Sequence, residues 1–97
     1  VSVGTSGAGE RQSFGRMVVS PNPSTGNFML EMEALEGGEA SISVTDVAGQ
    51  LVFGEKFEAL ANIVQHRKID LTGLPAGMYF LKITSGERSG YAKLVKE

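Results

Sequence analysis

The sequence contains no cysteine and no tryptophan. Without cysteine it can form neither a disulfide framework nor a thiolate metal site, and the redox compartment stays undecided. Histidine occurs once, at His66, which is too few to anchor a zinc site. Charge is balanced: nine Lys and Arg stand against eleven Asp and Glu, a net charge of −2. Signs are mixed along the chain, so it lacks the basic face with which nucleic-acid binders meet phosphates. It also lacks the like-charge runs of membrane-surface patches and acidic tails. No apolar stretch approaches the roughly 18 residues of a membrane span, so no direct membrane insertion is expected. The chain opens at Val1 without a basic-then-apolar leader. If the domain is exported, its leader is expected upstream in a longer precursor, or already removed.

What remains is ordinary globular material: 97 residues, 41% apolar and 21% charged. That length bounds the fold to one domain. A domain of this size buries only about 60–65% of its unfolded surface, which leaves a thin stability margin. The first sixteen residues, "VSVGTSGAGERQSFGR", read as a flexible linker. Val1, Val3 and Phe14 are too few to offset the entropy of ordering it. A folded unit is expected over 17–97.

Within that unit the signals are those of short strands. "MVVS" (17–20) is β-branched and stopped by Pro21. "NFMLEME" (27–33) alternates, with Phe28, Leu30 and Met32 on one side. "ASISVTD" (40–46) alternates Ile42 and Val44 against Ser and Thr. "QLVFGEKF" (50–57) returns as a hairpin partner, and "VQHRKIDL" (64–71) ends with Ile69 and Leu71 on one face. "MYFLKIT" (78–84) groups Tyr79, Leu81 and Ile83, and "SGYAKLVKE" (89–97) closes the chain. Turn chemistry separates them. "DVAG" (46–49) has the Asp and Gly of a type I turn, and "TGLPAG" (72–77) has glycine near both ends. One segment is ambiguous. In "FGEKFEALANIV" (53–64) the apolar spacing and "EALA" also admit one or two helical turns over 58–63. Seven antiparallel strands, each with one apolar face, must pack in two layers. The expected fold is an all-β, immunoglobulin-like β-sandwich, without the Cys–Trp–Cys signature of antibody domains.

Candidates for chemistry are few. His66 lies between Gln65 and Arg67 with no evident nucleophile, and reads as an exposed strand residue rather than a general base. Asp46 and Asp70 sit where strands meet turns, and bonds to nearby backbone N–H groups account for both. The oxygen spacing of a calcium loop is missing. "GTSGAG" (4–9) has glycines in the manner of a phosphate loop, but no Lys follows and no strand precedes it. The five Phe are spread along the strands as core residues would be. Tyr79 reads as core and Tyr91 as open, a weak basis for a sugar platform. No enzymatic role and no cofactor are expected.

The stretch "SPNPSTGNF" (20–28) holds two of the three prolines. Pro21 and Pro23 fix their own φ and donate no N–H. Asn22 is able to bond backbone two residues on, and Gly26 is able to take positive φ and reverse the chain. Locally this is a stiff lead into a turn, a preformed corner between sheets.

The order of three blocks, "VVSPNPSTGNFMLEM", "ISVTDVAGQLVF" and "IDLTGLPAGMYFLKITSGERSGYAKLVKE", resembles the C-terminal sorting domain of the type IX secretion system of Bacteroidetes. The resemblance covers 17–97. It implies a cleavable address at the end of a larger cargo, which reaches the periplasm by a Sec signal at its other end. The implied partners are that N-terminal cargo, the outer-membrane translocon and a surface sortase-like protease. The implied destination is the cell surface or extracellular space. Carried over by residue, Pro21, Asn22, Pro23 and Gly26 match the first motif. Asp46 and Gly49 match the central turn, and Leu74, Pro75, Gly77 and Tyr79 the "LPAGMY" block. Lys93, Leu94, Val95 and Lys96 match the terminal segment. Cleavage is expected within 1–16, around Ser6, Gly7, Ala8 and Gly9, where small residues leave an accessible backbone. The competing expectation is a non-catalytic immunoglobulin-like module that binds carbohydrate or protein, or acts as a spacer.

Overall fold

The computed structural model describes residues 16–86 and 88–97. Of the linker expected over 1–16, Arg16 belongs instead to the first strand, and the rest, with Ser6, Gly7, Ala8 and Gly9, lies outside the described residues. Seven strands follow in order: β1 (Arg16–Ser20), β2 (Asn27–Glu33), β3 (Gly38–Thr45), β4 (Leu51–Ala59), β5 (Val64–Asp70), β6 (Gly77–Ser85) and β7 (Arg88–Lys96). They form a three-stranded sheet, β1-β2-β5, and a four-stranded sheet, β4-β3-β6-β7, with every strand pair antiparallel. This is the expected seven-stranded β-sandwich.

Period-2 alternation builds the core. Phe28, Leu30 and Met32 of β2 and Ile69 of β5 are buried on the inner face of one sheet. Ala40, Ile42 and Val44 of β3, Tyr79, Leu81 and Ile83 of β6 and Leu94 of β7 face them. In-register pairs knit the strands within each layer: Phe28 with Ile69 in one sheet, and Ile42 with Ile83, Val44 with Leu81, and Tyr79 with Leu94 in the other. Each fully buried large side chain contributes about 1.5–3 kcal/mol, which is what a fold without disulfides depends on.

Residues 58–63 are not helical. β4 continues to Ala59, Ala61 bridges to Ala34, and the Asn62 N–H donates to the Ala34 carbonyl at 2.8 Å. Asn62 adopts φ 60°, which ends any helix. Phe53, Glu55 and Phe57 lie opposite Val44, Ile42 and Ala40 and therefore share the inner face. A carboxylate occupies the middle inner position. Glu55 is accommodated there by an ion pair with Arg67 of β5, whose guanidinium also lies 4.9 Å from the Phe57 ring centroid. Gln65 completes this seam: it accepts from the Leu60 N–H at 2.8 Å and donates to the Glu58 carbonyl at 3.1 Å. The β4 and β5 edges, which belong to different sheets, are thus laced together by side chains.

The phenylalanines are not all core. Phe28 is buried and Phe53 and Phe57 are partly so, whereas Phe80 sits on the outer face of the four-stranded sheet, 43% exposed. Phe14 lies outside the described residues.

Candidate functional site

The registers bring the motif blocks to one pole of the sandwich. Arg16, where the described chain begins, pairs with Glu33 at the opposite pole. The β1–β2, β3–β4 and β5–β6 connections and the end of β7 all lie at the other pole. Thr45 pairs with Phe80, Gly77 with Lys96, and Asn27 with Asp70. Blocks separated by some fifty residues in sequence therefore meet far from where preceding polypeptide enters.

The β1–β2 connection is not a free-standing corner. Both Ser20–Pro21 and Asn22–Pro23 are cis, and the segment lies along β7. The Asn22 amide does not bond its own turn. Its Nδ2 donates to the Lys93 carbonyl at 2.7 Å and its Oδ1 accepts the Val95 N–H at 2.9 Å. Two residues on, the Ser24 N–H donates to the Val95 carbonyl at 3.0 Å, and its carbonyl accepts the Glu97 N–H at 2.8 Å. One side-chain amide and one backbone residue thus stand in for a neighbouring strand and cover the outer edge of β7 from 93 to 97. Ser24 is only 6% exposed, and its hydroxyl donates to the Asn27 carbonyl at 2.7 Å and accepts the Gly26 N–H at 3.1 Å. Gly26 has φ 140°, and a Cβ there would lie 2.7 Å from the Thr72 Cα. Only glycine fits such a position. Its carbonyl accepts the Leu71 N–H at 2.8 Å, tying this turn to the β5–β6 connection.

The two other turns at this pole close on themselves. Asp46 Oδ1 accepts the N–H groups of Ala48 and Gln50 at 3.0 and 2.9 Å, and the Gly49 N–H donates to the Asp46 carbonyl at 2.9 Å. In "TGLPAGMY" the Leu74 N–H donates to the Leu71 carbonyl at 3.1 Å, and Leu74 packs partly buried against the core. The Tyr79 hydroxyl donates to the Pro75 carbonyl at 2.6 Å. This is the tyrosine corner of immunoglobulin-like domains, a Tyr near the start of the sixth strand bonding back a few residues upstream. Asp70 accepts both the hydroxyl and the N–H of Thr72, and these bonds, the hydroxyl first, hold its carboxyl below the ordinary range. Among the described residues no three of His, Asp and Glu come together as a metal site. His66 lies exposed on the outer face of the three-stranded sheet, 3.6 Å from the Glu31 carboxylate.

The family model of the secretion system C-terminal sorting domain matches residues 18–97. The chain belongs to that family. No curated protein matches it. The sorting domain is the C-terminal signal by which the type IX system exports a larger cargo to the cell surface or extracellular space. The residues that the sequence resemblance pointed to divide by what they contact. Gly26, Asp46, Gly49, Leu74, Tyr79 and Leu94 act inward or locally, Asn22 fastens its loop to β7, and Val95 and Lys96 are half-buried beside Ser24. Pro21, Pro23, Pro75, Gly77 and Lys93 are exposed. Two features escaped sequence reading. Ser24 shares the loop's contact with β7 with Asn22, and its Ser-Thr-Gly-Asn context was the available signal. Tyr91, Phe80 and Lys82 share the outer face with Lys93, and their alternation against Leu81, Ile83 and Leu94 was the signal for that.

Proposed function

We propose that this domain is a non-catalytic address read in its folded state by the outer-membrane translocon of the type IX system. Its cargo reaches the periplasm first, and a surface sortase-like protease cuts the chain upstream of β1, in the region of Ser6, Gly7, Ala8 and Gly9. The observation that carries the reading is the meeting of the three motif blocks at one pole. Most of their residues support shape, as a signal recognised by contour requires, and few present a reactive group. The entry at Arg16 lies at the far pole, so a cargo domain there leaves the motif pole open to a receptor.

The test is a fusion of a Sec signal, a fluorescent protein and residues 1–97, expressed in a host with an active type IX system. Surface fluorescence is expected, on a reporter whose mass has lost the domain. Retention in the periplasm would refute translocon recognition. Surface reporter at full precursor mass would refute the cleavage step alone.

A further inference from the structure

The loop that covers β7 covers only part of it. In an antiparallel strand each residue turns its N–H and C=O to the same side, and successive residues alternate. Val95 turns both groups outward to Asn22 and Ser24. The β6–β7 register runs without a shift from Gly77–Lys96 to Ser85–Arg88, so Lys93, Tyr91 and Ser89 also face outward. Lys93 spends its carbonyl on Asn22. No described residue pairs with its N–H, or with either backbone group of Tyr91 and Ser89. The β4 and β5 edges are laced to each other, and β1 is five residues long and ended by Pro21.

The face beside this open edge is cationic and aromatic. Two rows cross the sheet there, Gly54–Ser43–Lys82–Tyr91 and Leu51–Thr45–Phe80–Lys93, and neither holds a carboxylate. Lys82 Nζ lies 5.8 Å from the ring centroid of Tyr91, which is 69% exposed. Of the acids of this face, Glu39 and Glu58 lie opposite each other across β3 and β4 at the far corner, and Glu97 follows β7 beyond the stretch that Asn22 and Ser24 cover.

We propose that the β7 edge from Ser89 to Lys93 takes an extended acidic segment of a partner protein as an eighth strand, with a carboxylate beside Lys93 and an apolar side chain beside Tyr91. Backbone bonds supply the pairing and the two rows supply the selectivity. Asn22 sets the limit of the new strand, because the edge beyond Lys93 is already filled. This rests on the reading that the folded domain is recognised by another protein.

The test uses the 97-residue chain, isotope-labelled for NMR, with two synthetic octapeptides alternating Glu with Val or Lys with Val. The Glu peptide is expected to shift the Ser89, Tyr91 and Lys93 amides and slow their exchange, with the Lys peptide roughly tenfold weaker. Tyr91→Pro removes an outward N–H and no bond to β6, a change edge strands accept, and should abolish the effect. Lys93→Glu should invert the peptide preference and covers the case in which the proline variant does not fold. Equal binding of both peptides, shifts confined to another surface, an unchanged preference in Lys93→Glu, or protection that tracks self-association of the chain would overturn the proposal. In cells, a Tyr91→Pro reporter that is folded and exported as well as wild type would overturn it while leaving the sorting function intact. Failure of the wild-type reporter counts against sorting, and the peptide result then still decides the edge.

Discussion

Replacing Asn22 by Ala removes two hydrogen bonds to backbone more than seventy residues away, at 2.7 and 2.9 Å. Each is solvent-accessible, which places it in the lower part of the usual range at about 0.5–1 kcal/mol net, so the loss should total roughly 1–2 kcal/mol. For a domain of this size 1 kcal/mol moves Tm by about 4–8 °C, so a fall of some 4–16 °C is expected by circular dichroism. Hydrogen exchange gives the sharper readout. The Val95 N–H has Asn22 as its acceptor, whereas its neighbour Leu94 points toward β6. In Asn22→Ala the Val95 amide should exchange as an open edge does while Leu94 keeps its protection. Asn22→Asp retains an acceptor for Val95 but turns a carboxylate on the Lys93 carbonyl, so Val95 should stay protected while Tm falls. Unchanged Tm and unchanged Val95 exchange in the Ala variant would refute the clip, showing that the Ser24 bonds alone hold the edge.

Gly26→Ala should destabilise by at least about 1–3 kcal/mol, because positive φ and the approach to Thr72 both oppose a Cβ; denaturant titration measures it. Tyr79→Phe should cost about 0.5–1.5 kcal/mol by the same measurement, with its ring remaining in the core. Thr72 holds the folded-state Asp70 carboxyl below its ordinary value of 3.8. The stabilisation this provides is therefore present above that value and is lost as pH falls through the lower, folded value. The denaturation midpoint should fall with acidification in that window, and Asp70→Asn should flatten the slope there.

What could be read from the sequence follows from how local each cause is. The alternation of Phe28, Leu30 and Met32, of Ile42 and Val44, and of Tyr79, Leu81 and Ile83 identified the inner faces, because strand periodicity is a property of neighbouring residues. Asp46 and Asp70 were legible because their hydrogen-bond partners lie within four residues. Reading failed where an inner position is polar. Nothing in the sequence announced Glu55 as an inner residue of β4, because its acceptance depends on Arg67 arriving from the other sheet, and the helical spacing of "EALA" competed with the strand after Phe57.

By itself the sequence determined the strand count, most of the core, the tight turns and the family to which the chain belongs. Only the tertiary structure decided which strands are neighbours, that Asn22 and Ser24 fasten the end of β7, and that part of this edge stays open. The physical reason is that a backbone edge has no side-chain signature. Whether its N–H and C=O groups are filled depends on what the fold brings alongside, and for β7 that is a loop more than seventy residues earlier in the chain.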